Sequence, residues 1–99
     1  MDDDIAAIWA EARPRVMGRV DVLRSAADAA LAGDLDEARL AEAVGEAHKL
    51  AGSLGMFGFS EGSRVAARIE QALDGTAPLA PDGLVEQVRA LVASLDGAA

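Results

Sequence analysis

Between its glycine and proline marks, every segment of this chain repeats apolar residues at intervals of three and four, and nowhere do apolar and polar residues alternate. That spacing allows helices and leaves no basis for a sheet. A first short helix carries Ile5, Ile8, Trp9 and Ala12, with Asp2, Asp3 and Asp4 placing negative charge at its dipole-positive end. Pro14 either kinks this helix or opens the first turn of a second. The second helix presents Val16, Val20, Leu23, Ala27, Ala30 and Leu31 and stops at Gly33. Asp34 with Glu37 resembles a capping box opening a third helix, which carries Leu40, Val44, Ala47, Leu50, Leu54 and Phe57 up to Gly58. Ser60 reads as the N-cap of a fourth, with Val65, Ile69, Ala72 and Leu73, ended by Gly75. After a loop over 76–81, Asp82 begins a last helix on Leu84, Val85, Val88, Leu91, Val92 and Leu95. Connections this short predict an all-α, up-down antiparallel four-helix bundle with a short additional N-terminal helix as a lid. Residues 1–99 read as one domain, because a chain of 99 residues supports one modest core.

Composition narrows the functional classes. The hydrophobic fraction of 52% is mostly Ala, Leu and Val, which suits helices packed on small side chains. There is no cysteine, so disulfides, thiol catalysis and thiolate metal sites are excluded. A net charge of −8 repels phosphate backbones and anionic lipid, which argues against nucleic acid and membrane surfaces as partners. The acidic start Met1-Asp2-Asp3-Asp4 is the opposite of a basic signal-peptide start, and no apolar run approaches a membrane span. A cytoplasmic protein is the expectation.

The chain's only histidine, His48, stands in unusual company. On a helix its neighbours three, four and seven residues away are Gly45, Val44, Ala51, Gly52 and Gly55, so little side-chain bulk screens the imidazole. Each glycine within a helix costs about 1 kcal/mol relative to alanine. One explanation is that a second protein brings its backbone and reactive atoms close to His48; the other is that neighbouring helices pack tightly on these glycines. An imidazole can attack phosphorus with one nitrogen while the other holds the proton. A lone imidazole without a carboxylate cluster rarely holds a metal, so no metal site is expected.

The run His48-Lys49-Leu50-Ala51-Gly52-Ser53, followed by Phe57-Gly58 and by Arg68-Ile69-Glu70, resembles the signature of histidine phosphotransfer (HPt) domains. Met56-Phe57-Gly58-Phe59 is similar to the phosphotransfer domain of chemotaxis histidine kinases. The resemblance implies a four-helix bundle whose exposed His48 takes a phosphoryl group on Nε2 and exchanges it with an aspartate of a response-regulator receiver domain. The partners it implies are such a receiver or a hybrid histidine kinase. It implies a carrier with neither ATP binding nor autokinase activity; separately, a monomer is the expectation, with the apolar positions of the last helix open to either a dimer or closure of the bundle. The resemblance also implies no cofactor bound by this chain, the Mg²⁺ belonging to the receiver. A non-catalytic helical module that docks receivers is the alternative.

Glu70 lies as far after Ser60 as His48 lies before Gly58, so on antiparallel helices the two are level, about 15 Å from the turn. In the chemotaxis-type domains this spacing sets a glutamate against Nδ1–H, which orients the ring; otherwise Glu70 is a surface charge paired with Arg68 or Lys49. Family members usually carry a lysine three residues after the histidine, where this chain has Ala51. Lys49 sits about 100° around the helix from His48, and is either a phosphate contact or solvated surface. Arg64 and Arg68 are further sources of positive charge. The candidate partner-binding residues are Gly45, Ala51, Gly52, Gly55, Met56 and Phe59, while Leu54 and Phe57 are expected in the core.

Overall fold

The computed structural model describes residues 2–96, which form four α-helices and, among the described residues, no strand. They are α1 (Asp2–Ala32), α2 (Glu37–Met56), α3 (Ser60–Asp74) and α4 (Pro81–Asp96). Met1 and residues 97–99 of the span read as one domain lie outside the described residues, as do the side chains of Asp2 and Asp3 invoked for the helix dipole.

Each helix lies against two neighbours, in a ring α1–α2–α3–α4 that closes back on α1, making a four-helix bundle. The shared interior is built from the periodic residues. Val20 and Leu23 of α1, Leu50 and Leu54 of α2, Val65 and Ile69 of α3, and Leu91 of α4 are fully buried. Ala43 and Ala47 of α2 and Ala66 of α3 are equally buried, so small side chains let the backbones approach closely. Where α2 and α3 meet, Leu54 faces Gly62, Ala51 faces Ser63 and His48 faces Glu70; numbers fall on one strand of contacts as they rise on the other.

The separate N-terminal helix expected from Pro14 is not formed. α1 runs unbroken through Pro14 for 31 residues. At 1.5 Å per residue that is about 46 Å, in agreement with the 45 Å long axis of the molecule. Pro14 removes one hydrogen-bond donor within the helix, but Pro14 and Ala10 are both exposed, so the missing bond lies on the solvent side of α1. Trp9 holds the first half of α1 down by packing edge-on against Phe57 and tilted against Phe59, with centroids 5.3 and 4.6 Å apart. Phe57, expected in the core, is therefore half-buried beneath Trp9. Ile5 and Ile8 lie beyond this seat and stay exposed, and Leu31 is exposed at the other end of α1.

The helix ends also differ from the expected caps. Gly33 has φ 76°, its N–H donates to Ala30 O, and Asp34 N–H donates to Ala29 O, so Asp34 belongs to the closure of α1. Asp36 caps α2 instead, its carboxylate accepting from Arg39 N at 2.8 Å. The same closure ends α2. Gly58 has φ 85°, its N–H donates to Gly55 O, and Phe59 N–H donates to Leu54 O. Phe59 is thereby the last non-helical residue, and Ser60, expected to be the cap, is already the first residue of α3. α4 begins at Pro81 rather than Asp82, since a first-turn proline lacks an N–H the helix would leave unpaired anyway.

Candidate functional site

His48 lies midway along α2, with Ala47 on one side of it and Leu50 on the other fully buried. Those two anchor the helix to the core and turn the imidazole outward, leaving its side chain 75% exposed. The α2–α3 turn is only three residues, 57–59, so α3 folds straight back beside α2. Ser63 Oγ donates to Ala51 O at 2.7 Å, a cross-link one helical turn past His48. Glu70, its side chain 24% exposed, then reaches His48 from α3: Nδ1 lies 3.1 Å from Oε2 and 3.3 Å from Oε1.

A carboxylate only accepts hydrogen bonds, so this contact requires the proton on Nδ1. In the neutral ring Nε2 then carries the lone pair and is the nitrogen not engaged by Glu70. The surface-charge alternative for Glu70 named Arg68 or Lys49 as its partner, and neither takes that part. Arg68 pairs with Glu61 at 3.7 Å, and Lys49 Nζ lies 3.9 Å from Glu46. Arg64 also pairs with Glu61, at 2.9 Å. The hydrogen bond from Arg64, with the charges of Arg64 and Arg68, holds the Glu61 carboxyl below its ordinary range.

The glycines around His48 separate cleanly. A Cβ added at Gly45 or Gly52 would meet no atom within 4 Å, and one at Gly55 would meet only Ser63 Oγ, at 3.5 Å. Helix packing therefore does not require glycine at Gly45 or Gly52, and the surface beside the imidazole is bare backbone. The glycine that packing does require is Gly62 on α3, where a Cβ would come within 3.0 Å of Ser94 Oγ and 3.2 Å of Leu54 Cδ1. Gly62 escaped the sequence reading, although it continues the buried Val65, Ile69 stripe one turn toward the N-terminus.

Of the other partner-face candidates, Met56 is 89% exposed at the end of α2. Ala51 is half-buried toward Ser63. Phe59 is half-buried against Trp9 and the core, so only part of its ring faces outward. A half-buried ion pair between Arg19 of α1 and Glu46 of α2 was also missed, because nothing local in the sequence sets the register of α1 on α2. No group of three or more His, Asp or Glu residues arranged to hold a metal occurs among the described residues. No helix among them is long and apolar enough to cross a membrane.

A family model described as the Hpt domain matches residues 8–98. No curated protein and no solved structure matches the chain.

Proposed function

The chain belongs to the Hpt domain family, whose members are phosphocarrier modules of phosphorelay signalling that interact with response-regulator receiver domains, and on that premise we propose that His48 is the residue that carries the phosphoryl group. The observation that carries this reading is the imidazole itself: exposed, bordered by Gly45 and Gly52, and tied through Nδ1–H to Glu70 so that Nε2 is the nitrogen free to react. In the forward step Nε2 attacks the phosphorus of an aspartyl phosphate in line. The Nε2–P bond forms, the acyl phosphate O–P bond breaks, and the aspartate leaves as a carboxylate with the bonding electron pair. The proton stays on Nδ1, where Glu70 stabilises the positive charge that develops on the ring. Transfer to the next aspartate reverses the step.

The bundle supports this role by keeping His48 and Glu70 on two different helices in one register. We read it as up-down and antiparallel, and residues 1–99 as one such domain. The receiver docks over Gly45, Gly52, Gly55 and Met56, with Ala51 and the outer edge of Phe59 at the margin. The receiver brings the Mg²⁺, and this chain needs no cofactor of its own.

The test incubates the protein with Mg²⁺ and a panel of phosphorylated receiver domains. Acid-labile, base-stable phosphate is expected on the wild type and none on His48→Gln, which keeps the same thermal unfolding. Equal labelling of His48→Gln would overturn the assignment. Stable receiver binding without any transfer would instead favour a docking module, in which Ala51 stands where the family usually has a lysine.

A further inference from the structure

Resting on the reading of His48 as phosphoacceptor, we propose that Lys49 is the cation that meets the phosphoryl group, and that Arg19 and Glu46 are positioning residues that hold it ready without binding it fast. Glu46 sits half-buried between α1 and α2 with two cations at the same oxygen, Oε2. Arg19 Nη1 grips it at 2.5 Å, while Lys49 Nζ stands off at 3.9 Å, the outer limit of an ion pair, on a side chain that is itself mostly exposed. Arg19 thus satisfies the carboxylate by itself, and moving Lys49 away strands no buried charge.

The ground between Lys49 and His48 is clear. Gly45 and Gly52 are each three or four residues from both His48 and Lys49, so on the helix they occupy the strip that the two side chains flank. A Cβ at either would meet nothing within 4 Å, which leaves room for a phosphoryl group on Nε2 and an ammonium beside it. The charged groups paired around His48 and Lys49 are Arg19 from α1, Glu46 from α2 and Glu70 from α3, and the exposed Glu42 lies one turn before Gly45 and Glu46 on α2. Arg64 and Arg68 are engaged with Glu61. Ala51 leaves the usual lysine position empty of charge, and Lys49 supplies that charge from the other side of the imidazole.

The chain of effects is specific. Without Arg19, Glu46 has Lys49 as its remaining partner and draws it away from His48. With Glu46 neutralised as well, Lys49 is released again. Phosphorus NMR of the full chain, phosphorylated on His48 with phosphoramidate, reads this directly, because a nearby ammonium favours the dianionic phosphoryl group and lowers the pH at which its second ionisation occurs. Lys49→Met is expected to raise that midpoint by about half a pH unit. Arg19→Met is expected to raise it nearly as far. Arg19→Met with Glu46→Gln is expected to return it to the wild-type value, and Lys49→Arg to leave it there. An unmoved midpoint in Lys49→Met or Arg19→Met overturns the proposal, as does failure of Glu46→Gln to rescue Arg19→Met. In each of those cases His48 is still phosphorylated, so the phosphoacceptor assignment survives; a wild-type protein that gives no phosphohistidine signal would remove both.

Discussion

At the scale of single residues, the proposed reaction separates the site into groups that do chemistry and groups that stay out of the way. Glu70 belongs to the first. Replacing it with glutamine keeps the shape but offers Nδ1 either a donor or an acceptor, so the ring is no longer held in one tautomer. Glu70→Gln is expected to slow phosphoryl transfer about tenfold or more, by analogy with other carboxylates that orient a reactive histidine. Single-turnover transfer from a phosphorylated receiver measures this, and an unchanged rate would reduce Glu70 to a surface charge. Gly52 belongs to the second group. An alanine there meets no neighbour, so it should stabilise the fold by about 1 kcal/mol through helix propensity alone. Transfer should nonetheless slow severalfold, because the methyl group stands where the partner approaches. Chemical denaturation and the same transfer assay read the two effects, and a stabilised variant with undiminished transfer would leave Gly52 without a docking role. Spacing was enough to bring His48 and Glu70 level, since equal distances from a tight turn survive small errors in where the helices end. It could not decide why Gly45 and Gly52 are glycines, because that depends on whether another helix lies over them.

At the scale of elements, the periodic apolar residues of all four helices were legible, whereas the ends were governed by closures with competing solutions. Gly33 and Gly58 each close a helix with the same pair of backbone hydrogen bonds, and this draws Asp34 and Phe59 into the ends of α1 and α2. Asp36 then caps α2, two residues past the Asp34 expected there, and Ser60 becomes the first residue of α3 instead of its cap. Pro14 misled for a different reason. A proline inside a helix is costly in isolation, but the seat of Trp9 on Phe57 and Phe59 is a long-range contact that no local rule contains. The packing of α3 on α2 and α4 makes its own prediction through Gly62. Its missing side chain lets Leu54, fully buried, and Ser94, bonded to Leu91 O, lie against the α3 backbone. Overpacking costs about 1–3 kcal/mol, against a propensity gain of about 1 kcal/mol, so Gly62→Ala should destabilise the domain by about 1 kcal/mol. This opposes the sign expected at Gly52. Denaturant midpoints of the two variants side by side check it, and a Gly62→Ala protein as stable as Gly52→Ala would mean that Leu54 and Ser94 move aside freely.

At the scale of the whole molecule, one small core supports a site that touches only part of it. The His48–Glu70 pair spans α2 and α3, and the Arg19–Glu46 pair adds α1; α4 contributes no side chain to these contacts and serves to close the ring. A bundle of this size has a stability of about 5–15 kcal/mol, so removing one buried leucine from α4 is a large fraction of it. Leu91 is fully buried, and Leu91→Ala should cost about 2–4 kcal/mol by lost burial and the cavity left behind. Cooperative unfolding would then take the site with the rest of the core, since α2 and α3 have no separate interior on which to stand. Below that transition the expectation is different: the interval between His48 and Glu70 is set by the α2–α3 turn and the Ser63–Ala51 hydrogen bond, neither of which α4 supplies. Leu91→Ala should therefore melt well below the wild type, yet transfer phosphate at the wild-type rate at any temperature where its helical signal is complete. Thermal unfolding followed by circular dichroism, with transfer rates taken at the same temperatures, separates the two. A rate that falls while the helices remain intact would show that α4 sets the tilt of α3 and so the reach of Glu70, making the distance between carboxylate and imidazole a property of all four helices together.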